Sequence, residues 1–475
     1  LRDEEFFHHH LSFMNIRPCS ETPSGGRKPL VPLVLAAGLA LALARPAPAG
    51  EIALYKFDFG PGAVADGYLP VLPATVYTSA LGYGFEPGAT VTGVDRGGHD
   101  PVRGDFITSD RPFFFSARVP AEGNYRVTVM LGDAGGETTT TIKAELRRLM
   151  AEKVHTAPGQ FAMVSFIVNT RTPQIAPTGD IRAGEVKLKA PRESIQEEWA
   201  WDDRITLEFS PGAAPGRSCV CAIEITRVDV PTVFLLGDST VCDQSREPYA
   251  SWGQMLTRFF KPGVAIANHG ESGETYRDSL GRRRLDKILS VMKPGDTLIM
   301  QFGHNDQKQI AAGTGGPFTT YKAEIKQHVD AVRQRGGIPV IVSPMERREF
   351  DENGRIKPTL ADYAAAARQA AQELQATCID LNAMSRPFYE ALGPEQSKLA
   401  FARPAPDKVD NTHHDNYGAY ELAKCVVQGI RDARLGIAQY IVDDFQGFDP
   451  AHPDPVASFD VPPSPVVTIE KPLGN

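Results

Sequence analysis

Two short fragments carry the side chains of an ester-cleaving reaction. Gly237-Asp238-Ser239 ends the apolar run Val233 to Leu236 and lifts a serine off the end of a buried strand. A serine hydroxyl is a nucleophile only beside a base. The far fragment Asp410-Asn411-Thr412-His413 offers one, with a carboxylate three residues before the imidazole. One tight turn brings that carboxylate to the far nitrogen of the ring. His414 and Asp415 stand beside this pair as decoys, with Asp415 or Asn416 better placed to cap the helix that follows. A metal site at His413-His414-Asp415 lacks further ligands, because no other cluster supplies them.

The elements that must position these groups fall into two kinds. From Val233 onward, apolar β-runs alternate with helix-length patterns. The expected strands are 233–236, 264–267, 297–302, 339–342 and 378–381. The expected helices are 251–260, 283–292, 321–335, 360–376 and 417–433. Continuously apolar strands imply burial on both faces, hence a parallel sheet between helical layers. Ligands of such sheets bind beyond the carboxyl ends of the strands. Ser239, the stretch 269–273, the stretch 303–306 and the stretch 343–348 all fall there. Residues 51–230 read as an all-β sandwich of short strands separated by Gly, Pro and Asp clusters. One helix is expected within it, from Thr141 to Lys153. Residues 441–475 are Pro-rich and expected to be extended, wrapping a domain or linking onward.

Gly237–Val241, Asn268–Gly273 with Tyr276-Arg277, Gln301–Asp306 and Asp410–His413 together match the four blocks of the GDSL-type SGNH hydrolases. Among these the chain resembles the rhamnogalacturonan acetylesterases, over most of 230–433. The front part is similar to the galactose-binding-like sandwich that precedes this domain in some bacterial members. The resemblance implies a three-layer α/β/α, flavodoxin-like hydrolase domain at 231–440. It implies Ser239 as nucleophile, His413 as base and Asp410 as its orienting partner. It also implies three oxyanion donors: the backbone N–H groups of Ser239 and Gly273 and the side-chain amide of Asn305. Gly273 suits that place, because without a Cβ the backbone can approach a substrate. Ser272 sits in a near Gly-x-Ser-x-Gly context whose last position is Glu274, so it is not the nucleophile. Cys242 belongs to packing, and Asp238 to the nucleophile turn.

The chain has 475 residues, 42% apolar and 23% charged, with a formal net charge of -8. That charge argues against nucleic acid as a partner. Arg27-Lys28, an apolar run from Leu30 to Ala44, and Ala47-Pro48-Ala49 read as a secretory signal peptide. Export to the periplasm or beyond follows, with no membrane anchor after cleavage. Five cysteines lie beyond Ala49, an odd count that leaves a free thiol. Buried free thiols are expected, with one Cys378–Cys425 bridge as the alternative.

The functional expectation is a secreted esterase that removes O-acetyl groups from pectic rhamnogalacturonan without a cofactor. The alternatives are another acetylated polymer such as acetylxylan, a small ester, or a non-catalytic carbohydrate-binding protein. The sequence leaves the oligomeric state open. Arg277, Lys308 and Arg347 form an expected basic rim for galacturonate carboxylates, and Trp252 or Tyr276 are expected to stack on sugars. Trp199 and Trp201 share one face if their stretch is extended.

Overall fold

The computed structural model describes residues 53–213 and 216–473. The expected signal peptide and its cleavage site lie outside the described residues. Among the described residues no helix is long and apolar enough to cross a membrane.

Residues 55–228 form a β-sandwich. One sheet runs in the order Phe161–Thr170, Gly123–Gly132, Ala222–Val228, Tyr55–Phe59, Leu69–Val71. The other runs Tyr83–Phe85, Phe113–Arg118, Arg204–Pro211, Thr138–Ala144, Arg148–Thr156. Their inner faces share a core rich in aromatic rings, with Phe57, Phe59, Phe85, Phe113, Phe115 and Phe209 buried together. Alternation along each strand sends these residues inward.

The expected helix 141–153 is instead a hairpin, formed by the strands Thr138–Ala144 and Arg148–Thr156. Glu145 and Arg147 take positive φ at its turn. Lys143, Glu145, Arg147 and Arg148 of this hairpin are buried. Lys143 pairs with Glu208, Arg147 with Glu247, and Arg148 with Asp243. Tertiary pairing thus overrides the local pattern. Trp199 and Trp201 do not share an extended face either. Glu198–Ala200 is a short helical turn, and Trp201 is buried, donating to Glu193.

After Pro231 the chain enters a five-stranded parallel sheet. Its order is Ala265–Asn268, Thr232–Gly237, Thr297–Gln301, Ile338–Val342, Thr377–Ile379. Val233 and Leu235 face one helical layer, containing Asn416–Asp432 and Leu381–Gln396. Phe234 and Leu236 face the other, with Arg284–Val291, Lys322–Gln334 and Ala361–Leu374. The helix Leu381–Gln396 had no sequence signal, because Pro387 and Pro394 lie inside it. It kinks at Gly393. Cys378 and Cys425 pack on opposite sides of this sheet, so the alternative bridge does not form, and both thiols are free.

The C-terminal segment wraps both regions. Phe445, Phe448 and Phe459 pack on the apolar layer around the last helix. Pro462 accepts from Lys143 of the sandwich, and Val467 pairs with Glu247.

Candidate active site

The strand Thr232–Gly237 delivers the serine. A Cβ on Gly237 would lie 2.4 Å from Val241 Cγ2 and 2.6 Å from the Gln301 carbonyl oxygen, so only glycine fits. Asp238 builds the turn that follows. Its Oδ1 accepts from Thr240 N at 2.9 Å and Thr240 Oγ1 at 2.7 Å. Its carbonyl accepts from Val241 and Cys242 N, each at 3.0 Å. Gln244 Nε2 donates to the Ser239 carbonyl at 2.7 Å, and Gln301 Nε2 donates to Thr240 Oγ1 at 2.7 Å.

His413 Nε2 stands 2.9 Å from Ser239 Oγ, and its Nδ1 stands 3.0 Å from Asp410 Oδ2. Asp410 Oδ1 accepts from Thr412 N at 2.8 Å and His413 N at 3.0 Å, so the tight turn itself orients the carboxylate. Burial raises the Asp410 carboxyl, but the His413 hydrogen bond and charge and the two backbone donors outweigh it. The net effect holds the carboxyl well below the usual carboxylate range. Tyr249 meets the His413 ring edge-on at 5.7 Å. All three side chains are buried. His414 turns the other way, bonded to Tyr389 Oη at 2.8 Å and packed on Phe401. Asp415 caps the last helix by accepting from Gly418 N at 3.0 Å.

Gly273 takes a left-handed φ of 76°. Asn305 Nδ2 donates to the Glu274 carbonyl at 3.2 Å, while its Oδ1 accepts from Lys308 Nζ at 3.1 Å. These two bonds orient the amide and leave one N–H for a developing oxyanion. The C-terminal segment reaches the same place. Lys471 Nζ lies 3.5 Å from Asp410 Oδ2, and Leu473 lies against Gly273. Between this segment and Gln244 and Tyr249 there remains a cleft of about 40 Å³. Ligand pockets span roughly 300–1,000 Å³.

The expected substrate contacts divide. Trp252 and Tyr276 are fully buried and cannot stack on a sugar. Trp252 donates to Gln301 at 2.8 Å, and Tyr276 packs on Phe302 and Tyr321. Both sit in short helical segments whose apolar side faces the sheet, which position along the sequence does not reveal. Arg277 is tied to Glu324 at 2.8 Å and to the Thr314 carbonyl at 3.1 Å. Arg347 donates to Gln307 at 3.0 Å and to the His304 carbonyl at 3.4 Å. Both arginines therefore knit the rim together. Lys308 adjoins Asn305, and burial together with Arg347 pushes its ammonium below the usual lysine range. Among the described residues no group of three or more ligating side chains could hold a metal ion.

Several residues at this site had not been singled out by sequence. Gln244 and Tyr249 follow the nucleophile closely, yet nothing in their spacing marks them. Gln301 did carry a signal, as a polar residue ending the buried apolar run 298–300. Lys189, Arg192 and Arg284 surround the Gly273 loop. Lys189 donates to the Ser272 carbonyl, Arg192 Nε lies 3.0 Å from Glu271, and Arg284 Nε lies 3.0 Å from Glu274. Arg284, near the start of the expected helix 283–292, is fully buried. Burial and the nearby Glu197 and Glu193 push Glu271 well above the usual carboxylate range.

Residues 235–407 match the GDSL-like lipase/acylhydrolase family. Residues 55–161 match the galactose-binding domain-like family of β-agarase/YXIM esterase-like proteins. The chain is 40% identical to the rhamnogalacturonan acetylesterase RhgT of Bacillus subtilis (strain 168) over 220 residues, 44% of this chain and 94% of that protein. It is 32% identical to the probable rhamnogalacturonan acetylesterase YesY of the same organism over 216 residues, 45% of this chain and 98% of that protein. It is 26% identical to the uncharacterized esterase YxiM, also of B. subtilis, over 402 residues, 82% of this chain and 94% of that protein. The chain belongs to the GDSL-like lipase/acylhydrolase family, and carries a galactose-binding-like domain ahead of its serine-esterase domain.

Proposed function

We propose that this carbohydrate esterase removes O-acetyl groups from pectic rhamnogalacturonan through an acetyl-enzyme on Ser239. The observation that carries the mechanism is the unbroken relay from Ser239 Oγ to His413 Nε2 at 2.9 Å and from His413 Nδ1 to Asp410 Oδ2 at 3.0 Å. Ser239 Oγ attacks the acetyl carbonyl carbon, and its proton passes to His413 Nε2. The carbonyl oxygen becomes an oxyanion that Ser239 N–H, Gly273 N–H and the Asn305 amide stabilise. The C–O bond to the sugar breaks, and His413 returns the proton to the leaving hydroxyl. Water, deprotonated by the same imidazole, then releases acetate and restores Ser239. Asp410, kept ionised by its partners, holds the ring and balances the imidazolium.

The pectic substrate draws its support from the names of the two esterases at 40% and 32% identity. Lys308 beside the oxyanion site is suited to a uronate carboxylate. Export rests on the apolar run Leu30–Ala44 and its small-residue end; mass spectrometry of the secreted chain is expected to find an N-terminus at Gly50. The decisive experiment is acetate release from acetylated rhamnogalacturonan and from acetylxylan, by the native chain and by Ser239→Ala. Faster Ser239-dependent release from the pectic polymer is expected. Faster turnover of acetylxylan rejects the pectic substrate, and release that survives Ser239→Ala rejects the mechanism.

A further inference from the structure

The sandwich domain sends one side chain to both halves of the reaction centre. Arg192 opens a helical turn, Arg192–Gln196, in the segment between the sandwich strands Phe161–Thr170 and Arg204–Pro211. Its Nε lies 3.0 Å from Glu271 Oε1, and its Nη2 lies 2.8 Å from Glu197 Oε1. The same Nη2 donates to Ser272 Oγ at 3.0 Å and to Gln244 Oε1 at 3.4 Å. Ser272 immediately precedes Gly273. Gln244 holds the carbonyl of Ser239 at 2.7 Å and also donates to Ser272 Oγ at 3.3 Å. One guanidinium therefore spans the loop of the second oxyanion donor and the residue that anchors the nucleophile.

We propose that Arg192 is a positioning residue that sets the spacing of the Gly273 N–H from Ser239, so that the sandwich domain completes the oxyanion site. The inference rests on the esterase reading above. Its physical basis is the planar fork of arginine, whose donors hold several acceptors in one fixed arrangement. A lysine ammonium in its place keeps the charge beside Glu271 and Glu197 but cannot reach Ser272 and Gln244 together. Displacing a catalytic group by about 1 Å costs on the order of 10²-fold in rate. The ion pairs with Glu271 and Glu197 would serve a purely structural role. Those to Ser272 and Gln244 place catalytic backbone.

The test compares Arg192→Lys, Ser272→Ala and the double variant with the native full-length chain, using p-nitrophenyl acetate. Each single change is expected to lower kcat by about tenfold while KM stays within about twofold and the melting temperature stays near native. The double variant is expected to be no slower than the worse single, because both act through one contact. Arg192→Ala is expected to fall further and to regain part of its kcat with added guanidinium. If that variant does not fold, the lysine and serine variants carry the test. A folded Arg192→Lys enzyme with native kcat overturns the inference, as does a loss confined to KM or losses that multiply in the double variant. A fluorophosphonate probe of Ser239 supplies a second readout. Slower labelling of Arg192→Lys upholds the positioning role even if the native chain releases no acetate, an outcome that would sink the esterase reading alone. Equal labelling of native and variant chains overturns the positioning role alone.

Discussion

The turn that carries Ser239 and the loop that carries Gly273 meet at one reaction centre but are built in opposite ways. The Ser239 turn is held largely by its own neighbours. Asp238 accepts from Thr240, Val241 and Cys242, and Gln244 closes on Ser239 from five residues away. The Gly273 loop is held mainly by residues far off in the chain. Lys189 and Arg192 come from the front domain and Arg284 from a following helix, while Arg171 of the front domain donates to the Asn268 carbonyl. A local turn works wherever it is folded. A loop clamped by buried ion pairs works only while its partners are docked, because removing one partner leaves an unpaired charge in a dry site. The nucleophile is thus a property of one segment, and the oxyanion site a property of two domains.

The largest expected effect lies on the local side. Ser239→Ala or His413→Ala should reduce kcat by about 10⁴-fold or more without loss of fold, read by acetate release and a melting curve. Retained activity in either would remove the local turn from the comparison. Next comes the docking between domains. Arg148 and Asp243 are buried, with Nε 3.0 Å from Oδ2. Arg148→Leu strands Asp243 and should cost about 3–5 kcal/mol of stability in chemical unfolding. A change under about 1 kcal/mol would mean that the interdomain ion pairs contribute little. On the oxyanion side, Asn305→Ala should lower kcat by about 10²–10³-fold. A loss as large as that of Ser239→Ala would erase the distinction between the two halves.

The paired histidines sharpen the contrast on a smaller scale. Burial, with the nearby His413, pushes His414 down to about 3. The unfolded chain protonates this ring below about pH 6.5, and the folded chain does not until far lower. The stability that neutral His414 contributes is therefore complete above about pH 6.5 and declines as pH falls toward 3. The melting-temperature advantage of the native chain over His414→Gln should shrink between pH 7 and 4. A constant difference would contradict the burial. The smallest effect belongs to the C-terminal segment. A chain ending at Glu470 lacks the Lys471 contact to Asp410 and the Leu473 contact to Gly273. It should turn over acetylated polymer a few times faster, on the order of the population shift from freeing a covered site. Slower turnover would make the segment part of the substrate-binding surface.

The same contrast explains what could be read in advance. The parallel sheet, the place of Ser239 at a strand end, the Asp410–His413 turn and the turning of His414 away from the serine all follow from spacings of a few residues. Backbone geometry acts at that range, and a period of two or of 3.6 residues shows directly in the order of side chains. The hairpin at 138–156 was misread as helix, because its charges are compensated by Glu208, Glu247 and Asp243, which no local pattern connects to it. Trp252 and Tyr276 passed for sugar platforms because sequence gives an aromatic residue's distance from a strand end but not the side it faces. Arg277 and Arg347 passed for free cations because their acceptors, Glu324 and Gln307, are brought in by separate segments. By itself the sequence determined the chemistry, since the strand-end serine and the Asp410–His413 pair are each marked by residue type and short spacing, while the fold closes the 174 residues between Ser239 and His413. Only the tertiary structure decided how the oxyanion loop is held and what covers it. Arg192 and Leu473 lie 80 and 200 residues from the serines and glycines they touch, and only packing of the two domains brings those distances to a few ångströms.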